Sequence, residues 1–255
     1  MENSEIKPWM FRYPGEYLSL IASIGIFLGV GMIFSTFNIY LFAGLVILGL
    51  VYVRLQQSHY LGNAIRLHAS QYPEIYSIFK KHAIALQIQK ANIYISQDPN
   101  LNAFALGFNT CSVVLTSALV EQFSKKELSF IIGHELGHFK AGHTKLSTLI
   151  SPLGTNNLIS TLIFGIWQRK CEYTSDRCGL VVTKDIESCI SALIKLSIGG
   201  KLFKELDSDG YVSQLRKAQG VSMSLSELVL SHPLNSNRII NSYKFWKENF
   251  VKHEM

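Results

Sequence analysis

His134, Glu135 and His138 stand in the order H-E-x-x-H. On a helix, positions four apart share a face, so both imidazoles can bind one ion. Glu135 lies beside them, within reach of a metal-bound water without being a ligand. The chemistry such a trio supports is hydrolysis. The ion lowers the pKa of its water towards about 7 and polarises a carbonyl, while the glutamate takes the water proton and passes it to a leaving amine.

A catalytic zinc takes three protein ligands and keeps one position for water, so a further donor is required. His143 follows His138 by five residues. The H-E-x-x-H-x-x-G-x-x-H class needs a glycine three and a histidine six residues after its second histidine, where Ala141 and Thr144 stand here. The other option is a downstream carboxylate. Asn157 and Leu158 occupy the region where thermolysin-like chains carry one, and no acidic residue separates His138 from Glu172. Asp176 follows Glu172 at helical spacing, so the pair offers one ligand and one carboxylate able to orient a ligand imidazole. The structural alternative is a surface helix with two satisfied histidines and, elsewhere, an exposed acidic pair. The coincidence of both patterns in one chain favours the metal site.

The trio needs a helix to hold it, and the flanks supply one. Ser124 and Glu127 form a capping box, S-x-x-E, before an apolar run. Leu128, Ile131, Ile132, Leu136 and Phe139 give an apolar stripe at helical spacing, predicting a helix over 125–142.

The chain as a whole is 48% hydrophobic and only 16% charged, against a usual charged share of about 25%. The deficit is concentrated between Leu18 and Val53, where no charged residue occurs. One helix of that length exceeds a bilayer core of about 30 Å. The run is therefore expected to form a transmembrane hairpin of two short spans, 17–35 and 39–54, turning near Ser35, Thr36, Phe37 and Asn38. It is too long for a cleaved signal peptide. Lys7 and Arg12 precede it, and Arg54, Arg66, Lys80 and Lys81 follow it, so the positive-inside rule puts both ends and the catalytic domain in the cytoplasm. The net charge of +6 fits an anionic membrane surface. No basic stripe with interleaved aromatics accompanies it, so nucleic acid is not an expected partner. Cys111, Cys171, Cys178 and Cys189 form no C-x-x-C pair and are expected as free thiols in a reducing compartment.

Several segments, in order, resemble the M48 metallopeptidases, which include HtpX-type heat-shock proteases and CAAX prenyl proteases. They are Asn102-Ala103-Phe104-Ala105, Val113 to Leu119, His134 to His143, Cys171-Glu172-Tyr173-Thr174-Ser175-Asp176, and Ser231-His232-Pro233 followed by Arg238-Ile239. The resemblance implies one zinc ion per chain on His134, His138 and Glu172. It implies Glu135 as general base, Asp176 as the carboxylate behind a ligand, and Asn102 to Ala105 as an edge strand that pairs with extended substrate. His232 becomes a candidate for stabilising the oxyanion and Arg238 for organising the site. Ser175 replaces the family's alanine before the aspartate. The stretch 145–167 is shorter than in the HtpX type, which carries two spans there. A single crossing in that stretch would leave Glu172 about 30 Å from His138, so a bent helical hairpin lying against the domain or membrane is expected.

The expected fold is α+β and mostly helical: a zincin-like domain with a small sheet after the membrane hairpin. Strands are predicted at 91–96 and 112–116, and helices at 72–87, 118–123, 125–142, 171–182, 185–198 and 236–249, with a polar loop from 201 to 220. The organisation reads as an N-terminal cytoplasmic segment (1–16), the hairpin (17–54) and the metallopeptidase domain (55–255). The expected function is membrane-anchored, zinc-dependent endopeptidase action on extended or misfolded protein segments. The alternative is a non-catalytic, zinc-stabilised membrane scaffold or assembly factor. An intramembrane protease is disfavoured because Lys125, Lys126, Glu127 and Lys140 border the motif, and charges near a bilayer centre are costly.

Overall fold

The structure, a computed structural model, describes residues 6–150, 158–207, 210, 211, 214 and 233–251. A short 3-10 turn, Pro8–Met10, precedes the long helix α1, Glu16–Asn63. There follow β1 (Ile65–Arg66), α2 (Pro73–Ala85), β2 (Ala91–Ser96), β3 (Ala103–Leu106), β4 (Cys111–Thr116), α3 (Ser117–Gln122), α4 (Lys125–Ala141), α5 (His143–Ile150), α6 (Leu158–Thr183), α7 (Ile186–Ile198), α8 (Gly200–Phe203) and α9 (Asn235–Trp246). The chain is thus mostly helical with one small sheet.

The sheet runs β1-β2-β4-β3. Strand β4 pairs in parallel with β2 and antiparallel with β3, and all six of its residues are buried. A strand flanked on both sides carries a continuous apolar run in place of an alternating one, as Cys111-Ser112-Val113-Val114-Leu115-Thr116 does. Among the described residues strand β3 is an edge. Asn102, expected at its start, lies one residue ahead of it, where its backbone N–H donates to Thr116 Oγ1 at 3.1 Å.

Helix α4 begins as its sequence predicts. Ser124 Oγ accepts from the Glu127 N–H at 3.3 Å, and Glu127 Oε2 accepts from the Ser124 N–H at 2.7 Å. It ends at Gly142, whose φ of 87° is a left-handed conformation that glycine adopts without strain. Leu128, Ile131, Ile132 and Leu136 enter the main core with Ile93, Val113 and Leu115 from the sheet, Phe79 from α2 and Leu193 from α7. Phe139 is only partly buried against it. Phe11 from the N-terminal segment is wholly buried in the same core.

Helices α4 and α6 cross closely because glycines line the contact. A Cβ at Gly133 would lie 2.5 Å from Val182 Cγ2, and one at Gly137 would lie 2.7 Å from Cys178 Cβ. Real side chains do not approach so closely, so only glycine permits this helix separation.

Three expectations change. The stretch read as two spans carries helical backbone throughout Glu16–Asn63, including residues 35–38, where a turn was expected. That cluster holds no proline or glycine, and Thr36 Oγ1 donates to the Ile33 carbonyl at 2.6 Å, so this hydroxyl is satisfied within the helix. The helix predicted from 171 begins at Leu158, thirteen residues earlier, because the apolar stretch before it continues the same helix and packs Phe164 and Trp167 against α1. The polar stretch after 200 opens with the short helix α8; much of the remainder, including 215–232, lies outside the described residues.

Candidate metal centre

Helix α4 presents His134 and His138 on one face, with their Nε2 atoms 3.1 Å apart. Helix α6 brings Glu172 against them from the other side of the crossing. Its Oε1 lies 3.3 Å from His138 Nε2, and its Oε2 lies 3.5 Å from His134 Nε2. Glu135 Oε1 stands 4.0 Å from His134 Nε2. Glu135 and Glu172 are both buried, at 7% and 8% exposure.

Each imidazole is also held from behind. His134 Nδ1 lies 2.9 Å from Asp176 Oδ1. Asp176 is gripped in turn by Arg238 from α9, which donates from Nε to Oδ2 at 2.9 Å and from Nη2 to Oδ1 at 2.7 Å. Arg238 Nη1 also comes within 3.5 Å of Glu172 Oε2. His138 Nδ1 faces His143 Nδ1 at 3.2 Å, and His143 Nε2 faces Glu16 Oε1 at 3.1 Å. Glu16 further accepts from Arg12 and from the Thr174 hydroxyl.

Charge in this pocket shifts its titrating groups. Burial alone would depress His134, but hydrogen bonds to Asp176 and Glu172 reverse this and raise it to about 10. Burial opposes ionisation of Asp176, yet the Arg238 guanidinium and His134 hold its pKa below the usual carboxylate value. For His143 burial outweighs the hydrogen bond and charge of Glu16 and pushes it down to about 4, so its ring is neutral near pH 7. Glu135, Glu172 and Asp176 are three buried carboxylates gathered near Arg238; once an ion takes the place of the proton that His134 otherwise holds, an excess of two negative charges remains among these groups. A divalent cation would cancel that excess.

The donor atoms fit such an ion. Bonds of about 2.0–2.1 Å in a tetrahedron separate ligand atoms by about 3.3–3.4 Å. The two Nε2 atoms lie 3.1 Å apart, and the Glu172 carboxylate straddles them, Oε1 3.3 Å from His138 and Oε2 3.5 Å from His134. Two imidazole nitrogens and one carboxylate oxygen are also the donor set of a hydrolytic zinc site with an open fourth position.

The sequence profile of Peptidase family M48 matches residues 69–164 and 153–242. The chain belongs to peptidase family M48. This M48 chain is 27% identical over 260 residues to a protease HtpX homolog of Streptococcus pyogenes, covering 82% of each chain. It is 26% identical over 228 residues to a protease HtpX homolog of Streptococcus uberis, covering 70% of this chain and 75% of that one. It is also 26% identical over 214 residues to the plastoglobule-localized metallopeptidase 48 of Arabidopsis thaliana. That alignment covers 75% of this chain but 62% of the plant protein, so the M48 chain spans less than two thirds of that relative's length.

Of the residues picked out in the sequence, His134, Glu135, His138, Glu172, Asp176 and Arg238 converge on one point. Ala103 to Ala105 lie in the edge strand β3, and His232 falls outside the described residues. The sequence reading missed Glu16, Arg12 and Thr174, and it weighed His143 only as a ligand. One signal for Glu16 was available: an acidic residue at the head of an apolar run is costly unless partnered.

Proposed function

We propose that this chain is a zinc-dependent endopeptidase held in a membrane by α1, acting on extended or loosely ordered protein segments. The observation that carries the reading is the triangle of His134 Nε2, His138 Nε2 and Glu172 Oε atoms with Glu135 beside it. Zinc held by these three side chains would supply an acidified water and a polarised carbonyl. The Glu135 carboxylate takes the proton of the attacking water and delivers it to the leaving amine. Strand β3 offers an open edge to which an extended substrate can add as a further strand, setting its scissile bond beside Glu135. Backbone pairing of this kind selects for unfolded chain more than for a particular sequence. His232 is assigned to the oxyanion on its motif alone.

A non-catalytic scaffold would be served by a closed, four-ligand site. Three converging ligands and an adjacent free carboxylate favour catalysis. The test is zinc content and casein cleavage in the same samples of full-length protein in detergent. Wild type holds one zinc and cleaves. Glu135→Gln keeps the zinc and cleaves about 10²-fold or more slowly, and Glu172→Ala loses both. Zinc without cleavage in wild type would leave the scaffold.

Membrane attachment is supported by α1, whose window Glu16–Ile33 is long and apolar enough to cross a bilayer and is 17% buried. Both ends of α1 meet the same domain: Glu16 bonds His143, and the Tyr60 ring lies 5.5 Å from that of Phe104. A straight helix would hold Glu16 and Tyr60 about 66 Å apart, whereas a domain of this size is about 43 Å across. We therefore propose that α1 bends back, with both ends on one face of the bilayer and the catalytic domain in the cytoplasm, as the flanking Lys and Arg residues suggest.

A further inference from the structure

We propose that His143 and Glu16 form a positioning relay that fixes the His138 imidazole for metal binding, so that the metal centre depends on the first turn of α1. The proposal rests on the zinc reading above. For Nε2 of His138 to offer a lone pair to an ion, its proton must sit on Nδ1. That N–H points at His143 Nδ1, 3.2 Å away, which must then accept. His143 therefore carries its own proton on Nε2, which donates to Glu16 Oε1 at 3.1 Å. Each contact admits only one direction of donation once the metal ligand is chosen.

The far end of the relay is anchored firmly. Glu16 accepts from Arg12 and Thr174 as well as His143. Arg12 Nη2 also donates to the Ala141 carbonyl at 2.9 Å, tying the same group to the end of α4. The Tyr13 N–H donates to Thr174 Oγ1 at 2.9 Å, joining the N-terminal segment to α6. Glu16 and His143 are each 2% exposed, so water cannot substitute for either partner. The two ligand histidines are thus braced alike: His134 by a carboxylate directly, and His138 by a carboxylate acting through a second imidazole.

Glu16, His143 and Cys171 also present donor atoms close enough to hold a second ion. The relay is the better account. Glu16 already accepts from three donors and is neutralised by Arg12, and His143 Nδ1 is engaged with His138.

The test is zinc affinity, measured by chelator competition on the full chain in detergent, with thermal unfolding of the chelator-treated samples alongside. Wild type should bind one zinc. His143→Leu fills the space without an acceptor and should weaken zinc binding about 10–100-fold. His143→Asn puts an amide oxygen near the place of Nδ1 and should recover most of that loss. A residue that only fills space would show the opposite order. Glu16→Gln keeps shape and removes charge, and should weaken binding by less than His143→Leu. Equal affinity in wild type and His143→Leu, or two zinc ions in wild type with one lost on removing His143, would overturn the relay and leave the catalytic site standing. No zinc in wild type would remove both.

Discussion

Arg238 grips Asp176 through two nitrogens, Nε to Oδ2 at 2.9 Å and Nη2 to Oδ1 at 2.7 Å, 62 residues apart in the chain. Both side chains are buried, so each is the other's substitute for water. Arg238→Ala strips the buried Asp176 carboxylate of its guanidinium and leaves it on His134. It is expected to cost about 3–5 kcal/mol of stability, read from denaturant unfolding of the metal-free protein. Arg238→Lys should restore only part of this, because a point charge cannot make the two-pronged contact. A loss below 1 kcal/mol for Arg238→Ala would mean that the pair does not hold the site.

The crossing of α4 and α6 sets the distance from the histidines to Glu172. Gly133→Ala puts a Cβ where Val182 Cγ2 stands, 2.5 Å away. It should destabilise by about 1–3 kcal/mol and weaken zinc binding. Val182→Ala in the same chain removes the clashing methyl and should recover much of the loss. The two changes are expected to be strongly non-additive. Simple additivity in unfolding measurements would count against a glycine-determined crossing.

His82 gives a pH signature away from the metal. It is 3% exposed, its Nε2 lies 2.8 Å from Ser129 Oγ, and burial followed by nearby Lys81 lowers its pKa from 6.5 to about 4. The unfolded chain therefore binds this proton more readily than the folded one. Stability is fully present above about pH 6.5 and falls as the pH drops towards 4, by up to about 3 kcal/mol. In His82→Gln the acid slope between those values should flatten. An unchanged slope would assign the acid sensitivity to other groups.

The bend proposed for α1 can be read by accessibility. Cys111, Cys171, Cys178 and Cys189 are all buried, so background labelling of the native protein should be low. Cysteines introduced singly at Lys7 and Arg66, both exposed, should react with an impermeant thiol reagent from the same side of sealed vesicles. Labelling from opposite sides would show that α1 crosses once.

Local geometry was legible in the sequence. The histidine spacing, the Ser124–Glu127 box and the apolar stripe are all relations within four residues, and a helix converts such spacing directly into a shared face. The same holds for the strands predicted at 91–96 and 112–116, observed at Ala91–Ser96 and Cys111–Thr116, whose composition marks them. The apolar run was legible as well, but not its internal form, because a few polar residues can be satisfied within a helix as readily as in a turn.

What the sequence by itself determined was therefore the metal-binding face of α4, the glutamate beside it and the class of chemistry. The tertiary structure decided which distant groups complete it: Glu172 beneath both rings, Arg238 behind Asp176, and Glu16 behind His143 at a separation of 127 residues. The reason is physical. Spacing along one helix is fixed by its pitch, but meetings between helices depend on how closely their backbones pack. Here glycines 133, 137 and 179 set that approach. Their role is visible only once the facing side chains are in place.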